Sequence, residues 1–189
     1  EEANLANDHN QLLMTIMDKV ARRHSFRVLL HEKPFKGVNG SGKHNNWSLC
    51  TDEGVNLLEP GDDPKSNTQF LLFLSAIIKG CDKYARLIRF SASNAGNDYR
   101  LGAAEAPPAI ISVFLGDELE EILDKLSKHE DITSAKIGKI QFGVNSLPAV
   151  PRDSTDRNRT SPMAFTGNKF EFRMVPSSAS IAGPNTVLN

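Results

Sequence analysis

From Thr68 to Ile88 the apolar side chains keep one spacing: Phe70, Leu74, Ile77, Cys81, Tyr84 and Ile88 recur every three or four residues. At 3.6 residues per turn they fall on one stripe, which predicts the longest helix of the chain, buried along one face for its whole length. Such a helix needs a surface to lie on, and the neighbouring segments supply short strand-like runs. These are Phe26–His31, Trp47–Asp52 and the brief Val55–Leu58, followed by the turn-rich loop EPGDDPKSN. Ahead of them NDHNQLLMTIMDKVARR reads as an amphipathic helix, with Leu13, Ile16, Met17 and Val20 on one face and Asn7 or Asp8 as its cap.

Beyond the long helix, FSASNAGNDYRLGAAEAPPA has no period and reads as a loop. DELEEILDKLSK reads as a short helix with Leu119, Ile122, Leu123 and Leu126 on one face, and SAKIGKIQFGV as strand. SLPAVPRDSTDRNRTSP is a long polar connection, and KFEFRMV (Lys169 to Val175) alternates like a half-exposed strand. No repeat or linker divides the chain, so residues 1–189 read as one unit mixing helices and strands.

Composition narrows the function classes. With 189 residues, 39% of them hydrophobic, the chain can bury a core without disulfides. Cys50 and Cys81 sit singly in apolar runs and read as reduced core residues of an intracellular protein. A net charge of −1 gives no reason to expect nucleic acid or an anionic membrane as partner. No apolar run approaches the ~20 residues of a membrane span. The chain opens on EEANLANDHN without methionine and closes on GPNTVLN as an apolar pattern begins, which reads as a fragment.

Three polar clusters carry candidate chemistry. In KPFKGVNGSGKHNNWS (Lys33 to Ser48), Gly37, Gly40 and Gly42 let backbone approach a ligand closely. His44 offers an imidazole to a divalent metal, and Asn45, Asn46 and Ser48 offer hydrogen bonds. The bland reading is a tight connection between strands. In RLGAAEAPP, Arg100 suits a carboxylate, and Glu105 sits in a loop where a solvated charge is an equal reading. In DRNRTSPMAFTGNKFEFR, the two-residue strand period puts Lys169, Glu171 and Arg173 on one face. Arg157 and Arg159 stand in a loop suited to phosphate. Salt-linked surface charges are the bland reading of that strand. Taken together, an imidazole and a carboxylate for a phosphate-bridging metal, with several arginines, suit ATP-dependent activation of a carboxylic acid.

These motifs carry a resemblance. KPFKGVNGSGKHNNWS resembles the Lys-Pro-x-x-Gly-x-Asn-Gly-Ser-Gly-x-His-x-x-x-Ser signature of glutamine synthetases, and RLGAAEAPP is similar to their flap. DRNRTSPMAFTGNKFEFR, EEANLANDHNQLLM and AEAPPAIISVFLG resemble the type III members, and the likeness runs from Glu1 to Asn189. It implies an α+β fold, a curved antiparallel sheet (half-barrel) with packed helices, and a single partial domain from the C-terminal part of the catalytic domain. It implies ligation of ammonia to L-glutamate through γ-glutamyl phosphate, with ATP and Mg²⁺ or Mn²⁺. By motif position His44 and Glu171 would bind metal, Asn39 and Gly40 would touch glutamate, and Arg100 and Arg173 would hold its carboxylates. Asn46, Ser48 and Lys169 would face the nucleotide. Arg159 would stabilise the transferring phosphoryl group, with Arg173 also counted as catalytic, and Glu105 would close the flap and take a proton from ammonium.

The resemblance further implies a homo-oligomeric ring (a dodecamer) in the cytoplasm, or in an organellar stroma or matrix if eukaryotic. The family's other metal carboxylates and its small N-terminal domain lie upstream, so this fragment would be inactive alone. Ala104 stands where Asn is the type III expectation. The rivals are another glutamate–amine ligase of the same fold and a non-catalytic, structural relative.

Overall fold

A computed structural model describes residues 1–103, 106–134, 139–140, 150–151 and 161–189. In chain order its elements are α1 (Ala3–Arg23), β1 (Gly42–Trp47), α2 (Thr68–Lys83), α3 (Ala85–Ser91), α4 (Ala95–Arg100), β2 (Val113–Phe114) and α5 (Asp117–Ser127). They continue with β3 (Lys139–Ile140), β4 (Val150–Pro151), β5 (Met163–Phe165), β6 (Phe170–Pro176) and α6 (Ala182–Leu188). Four strands form one open sheet in the order β1-β6-β5-β2, and β3 pairs with β4 separately. The β1–β6 and β6–β5 pairs are antiparallel, while the two-residue β2 joins β5 in parallel at the edge. This is an α+β fold.

The core forms where α2 and α5 meet the sheet. Phe70, Leu74, Ile122, Phe170, Phe172, Met163 and Met174 are all buried there, each aromatic contributing roughly 2–3 kcal/mol of apolar burial. Phe165 links the layers, its ring centroid 5.7 Å from Phe70 and 5.4 Å, edge-on, from Phe170. Asn67 caps α2 by accepting the Phe70 backbone N–H at 3.0 Å. The acidic first turn of α5 (Asp117, Glu118, Glu120) suits its helix dipole.

Several expectations change. The long helix breaks at Tyr84 into α2 and α3, so its stripe turns with the chain and Tyr84 is left exposed. The segment Phe26–His31 is not a regular strand, because no described strand lies beside it to complete a ladder. The second strand starts earlier than expected, within the glycine-rich stretch, and ends at Trp47. Cys50 makes only an isolated bridge with Asn56 in the Val55–Leu58 segment and is exposed, whereas Cys81 is buried. The supposed loop before Arg100 contains α4, whose start Asn94 caps by accepting the Asn97 N–H at 2.6 Å.

KFEFRMV is no half-exposed strand. It is the inner β6, and from Phe172 to Pro176 it is buried throughout, because strands flank it and helices cover it. In α1 no residue is buried. Its stripe of Leu13, Ile16, Met17 and Val20 remains 41–54% exposed, since little of the described chain packs there.

Candidate active site

The first two clusters meet the third on the β1–β6 ribbon. Residues of β1 alternate: Asn45 and Trp47 turn inward, where Asn45 Nδ2 donates to Asn185 Oδ1 (2.8 Å) and Trp47 Nε1 to Asn189 Oδ1 (2.9 Å), while His44 and Asn46 face out. The register shifts between Lys43, opposite Val175, and Asn45, opposite Phe172. One residue of β1, His44, thus stands against two of β6, Arg173 and Met174, in a β-bulge that re-aims its side chain. His44 Nδ1 lies 2.6 Å from Glu171 Oε1, and Arg173 Nε donates to Glu171 Oε2 at 2.9 Å. Imidazole, carboxylate and guanidinium form one chain, with Asn46 directly opposite Glu171. Burial alone would raise the Glu171 carboxyl, but the Arg173 hydrogen bond and the charges of His44 and Arg173 hold it below its ordinary value.

β5 covers only Phe170 to Phe172 of its neighbour. Beyond that point side chains of α4 take the β6 carbonyls: Asn97 Nδ2 donates to Met174 O (2.8 Å), and Arg100 Nη2 to Arg173 O (2.8 Å). Arg100 Nη1 adds Asn97 Oδ1 at 3.1 Å and Val175 O at 3.5 Å. Arg100 is 4% exposed, and burial lowers its guanidinium while Glu32 pulls it partly back.

The glycine-rich stretch crosses this side chain. A Cβ on Gly42 would collide with the guanidinium, and one on Gly40 would stand 2.8 Å from Arg100 Cγ. This is the physical reason for two of the three glycines, whereas Gly37 has φ +80° and open space around it.

At the other end of the ribbon Ser48 Oγ donates to Asn56 Oδ1 (2.5 Å), and Lys169 Nζ to Asn168 Oδ1 (3.1 Å). Asn39 is exposed in the loop. Glu105, Arg157 and Arg159 lie outside the described residues, as does most of the polar connection. Gly102, at φ +77°, donates its N–H to Pro107 O at 2.9 Å.

Reasoning from the sequence missed Glu32, Lys43 and Asn97. Lys43 Nζ is spent on the carbonyls of Ser177 (2.6 Å) and Ala179 (2.6 Å). Each stands among polar or glycine neighbours, so no local pattern marks it as buried or says which backbone it will meet.

A divalent cation fits this donor set in part. A divalent ion would take both groups in their deprotonated forms, replacing the contact between His44 Nδ1 and Glu171 Oε1. A hard cation takes six or more ligands, and among the described residues no group of three or more His, Cys, Asp or Glu converges.

The α+β fold belongs to the glutamine synthetase catalytic-domain class. Residues 1–112 match the family described as glutamine synthetase, catalytic domain. The chain belongs to the glutamine synthetase family. It is 56% identical over 189 residues to the type-3 glutamine synthetase of Dictyostelium discoideum, covering all of this chain and 26% of that protein. It is 52% identical to a glutamine synthetase of Bacteroides fragilis, again across the whole chain and 26% of the relative. To that of Butyrivibrio fibrisolvens it is 58% identical over 90% of this chain and 24% of the relative. The chain thus spans about a quarter of the length of the curated relatives it matches.

Proposed function

We propose that this chain forms part of an enzyme that ligates ammonia to L-glutamate at the expense of ATP, through γ-glutamyl phosphate. The observation that carries the reading is the His44–Glu171–Arg173 chain on the β1–β6 ribbon, next to the loop that crosses Arg100. The ribbon's order supports it. Ser48 and Lys169 stand toward one end, His44, Asn46 and Glu171 between, and Gly40 with Arg100 at the other. That order matches nucleotide, metal-bound phosphates and glutamate laid end to end.

Mg²⁺ or Mn²⁺ held by His44 and Glu171 would supply neutralisation of the phosphate charge. Asn39 and Gly40 then orient glutamate, and Arg173 adds positive charge beside the reacting carboxylate. Arg100 joins them by exchanging a carbonyl partner for a substrate carboxylate. Arg159 stabilises the transferring phosphoryl group. Glu105, on the loop closed at Gly102 and Pro107, excludes water from the acyl phosphate and accepts a proton from ammonium. We assign the native protein to a homo-oligomeric ring in the cytoplasm. The exposed stripe of α1 supports an assembled state, and no helix among the described residues is long and apolar enough to cross a membrane. Residues 1–189 alone should form no glutamine, because two donors do not hold a hard cation.

The test is the native polypeptide supplied with ATP, Mn²⁺, glutamate and either ammonia, methylamine or cysteine. Glutamine with matching phosphate release is expected from ammonia. Equal or better turnover of methylamine or cysteine would move the protein to another ligase of this fold. Loss of all glutamate-dependent ATP cleavage in the wild type would leave a structural relative. Glu105→Ala should abolish synthesis while glutamate-dependent phosphate release persists slowly.

A further inference from the structure

Glu32 is a carboxylate inside the fold, 3% exposed, and the chemistry proposed above gives it no part. Its backbone carbonyl accepts the Ser41 N–H at 2.8 Å, so the two ends of the glycine-rich loop meet at this residue. Its side chain faces a second segment, the turn after β6, where Oε1 accepts the Ser178 N–H at 3.0 Å and the Ser178 hydroxyl. A third segment comes from α4: Asn94 Nδ2 donates to Oε1 at 3.4 Å, and a Cβ on Gly96 would collide with Oε2. A Cβ on Gly40 would strike the Glu32 carbonyl on one side and Arg100 on the other. Loop, turn and helix therefore close around one anion. Two cations, the half-buried Lys43 and the buried Arg100, lie within its field.

We propose that Glu32 is the positioning residue of the glutamate end of the site, clamping the glycine-rich loop against α4 and balancing Arg100 so that Gly40, Asn39 and Arg100 meet one substrate carboxylate. The inference rests on the reading that these three residues hold glutamate. A buried, unbalanced guanidinium costs several kcal/mol, and the hydrogen bonds show why the balancing group is a carboxylate rather than an amide. Oε1 takes two donors from Ser178 and one from Asn94, and each accepted bond favours the charged form. An amide oxygen can accept the same bonds without offsetting either cation, and its NH₂ would point at the close-packed Gly96 backbone.

The experiment compares wild type, Glu32→Gln and Glu32→Asp in the native polypeptide. Glu32→Gln is expected to raise the KM for glutamate about tenfold while the KM for ATP stays within about twofold, and Glu32→Asp to recover part of the loss. A second arm needs no turnover: trypsin cleavage at the exposed Lys36–Gly37 bond of the loop. It should quicken about tenfold in Glu32→Gln at temperatures where the rest of the chain stays uncut, because the loop opens more often. A glutamate KM and a cutting rate both within about twofold of wild type overturn the proposal. So does a variant that loses kcat, both KM values and Tm together and is cut everywhere, which would make Glu32 a general stabilising residue. If the wild type forms no glutamine, the ligase reading fails and the trypsin arm still decides whether Glu32 clamps the loop.

Discussion

Gly42 lies directly over the guanidinium of Arg100, so close that a Cβ on Gly42 would overlap Nη1. The two residues are far apart in sequence and sit on different elements, yet neither position can be chosen independently. Asn97 and the carbonyls of Arg173 and Val175 hold Arg100 from below.

That contact sets the sign of two glycine substitutions. Gly42→Ala forces atoms together in a site with no slack and should cost about 2 kcal/mol. Gly80, in the interior of α2, has nothing within 4 Å of its would-be Cβ. There alanine replaces the least helix-favourable ordinary residue and should stabilise by about 0.5–1 kcal/mol. Urea denaturation of both variants reads the opposite shifts directly. Equal destabilisation by the two would mean that Arg100 does not occupy this position in solution.

His44→Ala removes an imidazole set 2.6 Å from Glu171. Turnover should fall by ~10²-fold or more, as losing a metal contact does, and calorimetry should show weaker Mn²⁺–ATP binding. If His44 and Glu171 hold the metal as proposed, they do so without their proton, so wild-type affinity should fall as pH drops, and this dependence should flatten in the variant. An unchanged affinity would remove His44 from the metal assignment.

Acid should destabilise the fold through two carboxylates. Burial would raise Glu32, but the Ser178 and Asn94 hydrogen bonds bring it below its ordinary value, and Glu171 is lowered as described above. A carboxyl lowered in the fold contributes stability that is complete above its unfolded value of about 4 and disappears as pH falls through the folded value. Thermal melts should therefore be flat near neutrality and drop steeply below about pH 4. Glu32→Gln should start lower at neutral pH and lose less on acidification. An identical slope in the variant would rule out Glu32 as a source of the acid response.

The two thiols should differ sharply. Burial pushes Cys81 up to about 11, and the residue is only 4% exposed, whereas Cys50 is exposed. In native protein at about pH 8 an aromatic disulfide reagent should label Cys50 and spare Cys81, because the thiolate is the reacting form. Both should react in denaturant. Native labelling of Cys81 would show that α2 opens on the timescale of the assay.

Local patterns in the sequence determined much of this protein. The stripe from Phe70 to Cys81, the apolar face of α5 with Leu119 and Ile122, and the pairing of Glu171 with Arg173 on one strand face follow from helical and strand periods, which are properties of consecutive residues. The motifs around His44, Arg100 and Glu171 carried the family before any coordinates did. What only the tertiary structure decided depends on neighbours distant in sequence. Strand identity is one case: Phe26 to His31 has the composition of a strand but no partner among the described strands, while β6 looked half-exposed and became an inner strand. The aim of His44 is another, since a bulge arises from a register mismatch between β1 and β6 that neither strand contains alone. Glu32 and Asn97 are the clearest cases. A buried carboxylate or amide is stable only where donors and carbonyls from other segments converge on it, and that convergence exists only once the chain has closed.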